Sequence, residues 1–317
     1  LASAIAARCA TVIKPSELSP LQTQVQAEAL HDAGLPPGVF NILLGRGPDV
    51  GDEISTSPGV ARISFTGSTA TGKVIARAAV ESMKRVSLSL SGKGASIVLD
   101  DADLGAAAEL ALAAALANNG RACVAGTRLL VPRARQGEIV ERLQAGVAAL
   151  RVGDPRDPET TIGPLASRAQ FDRIQRFIRR GREQGATLVA GGEGRPAGLE
   201  RGFFVRPTVF SDVRNDMDIA REEIFGPVLS VIAYEDEADA IRIANDSAYG
   251  LQAYVFSADA QRAQRVAQEL NVGTVLVNRI QPELLAPFGG TKQSGLGREF
   301  GLAGLEGFVE ARTIAVA

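Results

Sequence analysis

A thiol beside a predicted helix end and two glycine-rich turns are the parts of this chain that could carry chemistry. Cys123 closes the segment Asn118-Asn119-Gly120-Arg121-Ala122-Cys123. The thiolate, not the thiol, is the nucleophile, and polar surroundings favour it. A free cysteine is more often a small buried hydrophobe. Beside a capping glycine and polar neighbours, both readings of Cys123 stay open. Cys9, in an apolar helix-like context, reads as packing. Gly45-Arg46-Gly47-Pro48-Asp49-Val50-Gly51 follows an apolar strand-like run and opens a helix, and Gly67-Ser68-Thr69-Ala70-Thr71-Gly72 repeats the arrangement one unit later. Glycines there let backbone amides approach a dinucleotide, and a helix start favours phosphate. Each turn alone is explained by a tight strand-to-helix connection. Two in one unit bring nucleotide binding forward as the alternative.

Composition narrows the chemistry. His31 is the single histidine, so neither a His-built metal site nor a Ser-His-Asp triad is expected, and no metal is assigned. Two cysteines exclude a disulfide framework and favour a reducing, cytoplasmic setting. Lys plus Arg number 34 against 36 Asp plus Glu, so no basic excess points to nucleic acid or an anionic membrane. No apolar run reaches the roughly 18 residues of a membrane span. With 317 residues, 45% of them hydrophobic, the chain has the apolar content for two globular domains.

The elements that must position these residues alternate. Thr11–Ile13, Val39–Leu44, Val60–Phe65 and Val86–Leu90 read as strands. Helices are expected from Ser16–Ser19 to about Asp32, after Gly51, and from Gly67-Ser68-Thr69 to Met83. Such alternation predicts a parallel sheet with right-handed crossovers. A second α/β region follows. Its first helix starts near Asp101 or Asp103 and ends at Asn118-Asn119-Gly120, with Gly120 as a C-terminal cap. Strands are expected at Leu129–Val131, Phe204–Phe210, Val228–Tyr234, Ala253–Phe256 and Thr274–Val277. Helices are expected at Ile139–Leu150, Phe171–Ile178, Glu237–Ala244 and Ala260–Leu270. Phe171, Ile174, Phe177 and Ile178 share one helical face and read as core. Phe308–Ala317 alternates like a final strand. Leu1–Ala7 reads as the middle of a helix, so further chain is expected ahead of it.

An ordered set of segments identifies a family resemblance. They are Ile13-Lys14-Pro15-Ser16-Glu17, Gly34-Leu35-Pro36-Pro37-Gly38-Val39-Phe40-Asn41, Phe65-Thr66-Gly67-Ser68-Thr69, Asn118-x-Gly-x-x-Cys123, Glu222-Glu223-Ile224-Phe225-Gly226-Pro227-Val228, and Pro287-Phe288-Gly289-Gly290-x-Lys-x-Ser294-Gly295. Together, over the whole chain, they resemble the NAD(P)-dependent aldehyde dehydrogenase superfamily. The resemblance implies an α/β, aldehyde-dehydrogenase-like fold. Residues 1–90 would be the C-terminal part of a Rossmann-type NAD-binding domain and 91–297 the catalytic domain. Residues 298–317 would be a tail with an oligomerisation strand joining a neighbour's sheet in a dimer or tetramer.

The resemblance also assigns roles. Cys123 matches the nucleophile that adds to a small-molecule aldehyde, giving a thiohemiacetal and, after hydride loss, a thioester. Lys14 and Glu17 match the pair that grips the adenosine ribose. A carboxylate there accepts from the 2′-hydroxyl and repels a 2′-phosphate, which favours NAD over NADP. Gly47, Gly67 and Ser68 fall in the turns facing the phosphates, Ser68 as a pyrophosphate contact. Glu223 matches the nicotinamide-ribose ligand, and Phe225 packs near that ring. Leu251 and Pro282–Ala286 are candidate substrate-pocket walls.

Departures from the family pattern shape the expected activity. The family's Leu-Glu-Leu-Gly-Gly-Lys is Leu88-Ser89-Leu90-Ser91-Gly92-Lys93 here, so Ser89 occupies the general-base position. A serine hydroxyl does not take up a proton near neutral pH, and general base catalysis is typically worth ~10²–10⁴-fold. Arg121 replaces a common Gln, Gly94-Ala95-Ser96 replaces the usual Ser-Pro-Asn, and Arg8-Cys9 replaces Gly-Asn. The family's portion ahead of the segment matching Leu1, including an oxyanion-binding asparagine, is not in this sequence. Oxidation of an aldehyde to its acid is therefore expected in impaired form. The alternatives are a non-catalytic relative that at most binds NAD, and acyl transfer from the thioester to coenzyme A.

Overall fold

β-branched and apolar runs become strands where glycine, proline or a capping side chain breaks them. The computed structural model describes residues 1–317. The chain forms two compact units, one of residues 1–90, 283–289 and 295–317, the other of 91–282 and 290–294. Residues 295–317 thus fold with the first unit and do not stand apart as a separate tail.

The first unit begins with α1 (Ala2–Ala6), β1 (Thr11–Ile13), α2 (Leu21–Asp32), β2 (Phe40–Ile42), α3 (Asp52–Thr56), β3 (Arg62–Thr66), α4 (Thr69–Val80) and β4 (Arg85–Ser89). β1 pairs with β2 and β3 with β4, both in parallel, so each pair is a strand–helix–strand crossover. α2 starts at Leu21, later than the expected Ser16–Ser19. Those residues form a turn, Ser19 N to Ser16 O at 3.2 Å, and Pro20 takes the helix boundary. A proline without an N–H is best tolerated where that hydrogen bond is not needed. α4 starts as expected. Ser68 is its N-cap, extended in backbone, with Oγ accepting from Thr71 N at 3.2 Å.

In the second unit lie β5 (Ala95–Val98), α5 (Leu104–Gly120), β6 (Arg128–Pro132), α6 (Gln136–Ala148), α7 (Arg168–Glu183), β7 (Thr187–Ala190), β8 (Thr208–Ser211), α8 (Asp218–Arg221), β9 (Val228–Tyr234), α9 (Glu237–Asn245), β10 (Tyr249–Gly250), β11 (Gln252–Phe256), α10 (Ala260–Gln268), β12 (Thr274–Val277) and β13 (Thr291–Lys292). Seven strands make one sheet in the order β12-β11-β5-β6-β9-β8-β7, parallel except for the β7–β8 pair. Alternate residues of one strand bury into opposite layers, as the pleat requires. Leu130 joins α7's Phe171, Ile174, Phe177 and Ile178 on one side. Leu129 and Val131 meet the alanine-rich face of α5 on the other. The expected strand at Phe204–Phe210 begins only at Thr208, because Arg206-Pro207 precedes it and Pro cannot donate to a ladder.

The chain returns to the first unit with β14 (Gly295–Leu296) and α11 (Gly301–Glu306). β14 pairs antiparallel with β4, setting Gly295 against Ser89. The expected strand at Phe308–Ala317 is not formed within the chain. Arg85 donates to Val309 O at 2.8 Å and pairs with Glu310. Beyond that anchor Ile314 and Val316 are exposed. An extended strand needs a neighbour for its ladder, and the chain supplies none here.

Candidate active site

The approach to Cys123 departs from a simple helix end. Helical geometry stops before Ala117, and Asn118, Asn119 and Gly120 follow with φ of 50°, 60° and 69°. Asn is among the few residues that tolerate this left-handed region. Gly120 is therefore more than the expected cap. A Cβ there would stand 2.3 Å from Gly226 O, so this position accepts only the smallest residue.

Two more segments of the second unit meet this loop. A Cβ on Gly92 would fall 2.0 Å from Cys123 O, which brings the Ser91–Gly94 backbone directly against the cysteine. Gly92 N also donates to Glu223 Oε1 at 3.0 Å. Arg173 holds the same loop by donating to Glu223 O at 2.6 Å. Phe225, two residues on, has φ of 62°. The guanidinium of Arg121 lies over its ring at 5.6 Å. Cys123 is half-buried and unbridged. Cys123 and Glu223 are thus brought together around Gly92, and Phe225 meets Arg121 of the cysteine loop. Leu251, an expected pocket wall, is buried beside Gly92. Leu284 and Leu285 are exposed.

Behind this loop Lys93 is 2% exposed, and its Nζ has no hydrogen-bond partner. Burial, reinforced by Arg128 and opposed by Glu223 and Glu222, lowers its pKa from 10.5 to about 7. Between those values the unfolded chain binds more protons at Lys93 than the folded one, so stability rises with pH in that window. Urea unfolding of the protein is expected to show a higher midpoint at pH 9 than at pH 7. The difference should shrink in Lys93→Met. An equal difference in both proteins would remove Lys93 as its source.

In the first unit, Lys14, Glu17 and Gly47 form one cluster. Glu17 Oε1 accepts from Gly47 N at 2.9 Å, and Oε2 lies 3.7 Å from Lys14 Nζ. Backbone amides, Glu17's own and that of Gly47, hold this carboxyl below the ordinary range, with Lys14 adding to the effect. Lys14 also donates to Gly45 O at 3.1 Å. These residues border a cleft of about 1410 Å³ that α4 lines through Ala70, Thr71 and Val74. Gly67 and Ser68 start α4 but do not line the cleft itself. Its volume exceeds the roughly 300–1,000 Å³ of ordinary ligand pockets. An ionised acceptor and an ammonium at one cleft, with Ala70 and Thr71 of the first turn of α4 along it, fit a dinucleotide. Ser89, also in this unit, is 5% exposed at the end of β4, and its carbonyl accepts from Gly67 N at 3.1 Å.

The sequence profile of the Aldehyde dehydrogenase family matches residues 1–314. The chain belongs to the aldehyde dehydrogenase family. It is 47% identical over 314 residues to a 3-succinoylsemialdehyde-pyridine dehydrogenase from a Pseudomonas species, covering 99% of this chain and 66% of that protein. Among solved structures it resembles a mutant of aldehyde dehydrogenase C (AldC) from Pseudomonas syringae complexed with NAD+ and octanal. There the TM-score is 0.95 at 46% identity, over 98% of this chain and 66% of that one. It also resembles the Mycobacterium tuberculosis aldehyde dehydrogenase complexed with NAD+, with a TM-score of 0.95 at 45% identity over 97% of this chain and 63% of that one. The chain thus spans about 66% of the length of the curated relative.

Family membership gives the two-unit α/β architecture its meaning, and the geometry adds what motif reading missed. Gly92 is one glycine of a family-like segment by sequence, yet it meets both Glu223 and Cys123. The alternation Ser91-Gly92-Lys93-Gly94 was the available signal, since closely spaced glycines after a strand mark close backbone approach. Lys93 gave none, because a lysine between glycines reads as a solvated charge. No helix of the structure is long and apolar enough to cross a membrane.

Proposed function

We propose that this chain oxidises an aldehyde to a carboxylic acid with NAD, using Cys123 as the nucleophile. The supporting observation is the contact of the Cys123 loop with Gly92, the same residue whose amide holds Glu223. In this reading the Cys123 thiolate adds to the carbonyl carbon. A C–S bond forms and the carbonyl π pair moves to oxygen, giving a thiohemiacetal. NAD, when bound, accepts the hydride that leaves this carbon. The remaining thioester is cleaved by water, which releases the acid and returns the thiol.

Each unit has its share of the binding. In the first, Glu17 accepts from the adenosine ribose, Lys14 supports it, and Gly47, Gly67 and Ser68 serve the phosphates. The ionised Glu17 disfavours a 2′-phosphate, so NAD is preferred to NADP. In the second, Glu223 takes the nicotinamide ribose and Phe225 packs beside the ring. The unpaired, exposed end of Phe308–Ala317 supports a homo-oligomer in which this segment pairs with a neighbouring copy. Two cysteines that form no disulfide fit a cytoplasmic setting.

The purified chain is expected to form reduced cofactor when given NAD and a panel of aldehydes, at least as a single-turnover burst followed by absorbance. No burst with any aldehyde would retire the proposal. Ser89 in the base position favours a second reading, acyl transfer to coenzyme A, because a thiolate acceptor needs less activation than water. Acyl-coenzyme A among the products would select it, and free acid alone would dismiss it.

A further inference from the structure

Arg121 is the one charged side chain of the cysteine loop that the proposed reaction leaves unused. Its Nε is buried without a hydrogen-bond partner. Its guanidinium rests on Phe225. Burial alone lowers its pKa, and no carboxylate acts on it in the opposite direction. Arg262, in the same unit, shows the usual arrangement, with Glu237 at 2.7 Å and Asp100 at 2.5 Å. Arg128 shows the other, with the carbonyls of Lys93, Ile243 and Ala244 around its guanidinium. Arg121 has neither a carboxylate nor a carbonyl partner, and it stands where the family commonly has an uncharged Gln.

We infer that Arg121 is a specificity-determining residue that directs the Cys123 site toward aldehydes carrying a carboxylate. The inference deepens the reading of Cys123 as nucleophile and rests on it. Arg121 stands two residues before Cys123, so their Cα atoms lie within about 7 Å. A guanidinium fork matches a carboxylate in two parallel hydrogen bonds, and stacking on an aromatic face orients it. An incoming carboxylate supplies the counter-charge the chain withholds.

The test compares two alkylating agents of similar size on the full chain, anionic iodoacetate and neutral iodoacetamide. Peptide mass spectrometry separates Cys123 from Cys9. The same thiolate displaces iodide from both reagents, so their rate ratio cancels any change in thiol ionisation. Arg121→Gln is expected to lower the iodoacetate-to-iodoacetamide ratio at Cys123 about five-fold, the scale of one unit charge at such a distance. Arg121→Lys keeps the charge and should keep most of the ratio. An unchanged ratio in Arg121→Gln overturns the inference while leaving Cys123 as nucleophile. No alkylation of Cys123 by iodoacetamide overturns both. A second arm addresses the substrate class. 4-Oxobutanoate should protect Cys123 from iodoacetamide at lower concentration than butanal does, and Arg121→Gln should remove that difference. Equal protection in the unmodified chain rejects the carboxylate-bearing class.

Discussion

Replacing Cys123 by alanine is expected to remove aldehyde-dependent formation of reduced cofactor, by about 10⁴-fold or more, the scale seen when a catalytic nucleophile is deleted. A hydride does not leave readily from a trigonal aldehyde carbon, because the cation left behind would be an acylium. Addition of the thiolate makes that carbon tetrahedral and places a negative oxygen on it, whose electrons drive the hydride out. Alanine offers nothing to add. The backbone should stay in place, because Gly92 meets the carbonyl of residue 123 and not its side chain. Thermal unfolding within a few degrees of the unmodified chain confirms that the fold survives. Turnover retained in a folded Cys123→Ala chain would move the chemistry elsewhere.

Motif and periodicity reached different depths in different parts of the molecule. The face of α7 was legible because four large apolar residues at helical spacing have only one way to be buried together. β5 escaped notice. Ala95-Ser96-Ile97-Val98 lacks the apolar run of its neighbours, yet it lies inside the sheet between β11 and β6. There Ser96 satisfies its hydroxyl on Gly126 O at 3.3 Å, so a polar residue sits in a central strand. The Phe308–Ala317 alternation was real as a pattern but needs a partner strand, which local sequence does not supply. In the site, Cys123 stood out by residue type with two readings open, whereas Glu17 and Glu223 entered through the family resemblance alone. Gly92 gave no such signal and Arg121 showed only as a departure from the family pattern, because what matters at each is what lies across from it in space. The Glu223 carboxylate lies 131 residues from Gly92 in sequence, and the Phe225 ring is likewise remote from Arg121.

If release of the thioester by water lacks a base, the unmodified chain should give a rapid burst of reduced cofactor of about one equivalent per Cys123, then a slow steady phase. Ser89→Glu should leave the amplitude near one equivalent and speed the slow phase by about 10²-fold or more, within the usual range for a positioned general base. Residue 89 is buried at the end of β4, with Thr66 and Gly295 as its ladder partners, so its backbone is fixed. A carboxyl placed there is desolvated, which raises its pKa toward the neutral range where a base works best. The gain should therefore rise with pH as the new carboxyl ionises, a limb the unmodified chain lacks. A serine hydroxyl has no such titration. If the slow phase of Ser89→Glu matches that of the parent and shows no new pH limb, the missing carboxylate is not what limits release. The thioester would then have another acceptor, and added coenzyme A should accelerate the parent chain instead.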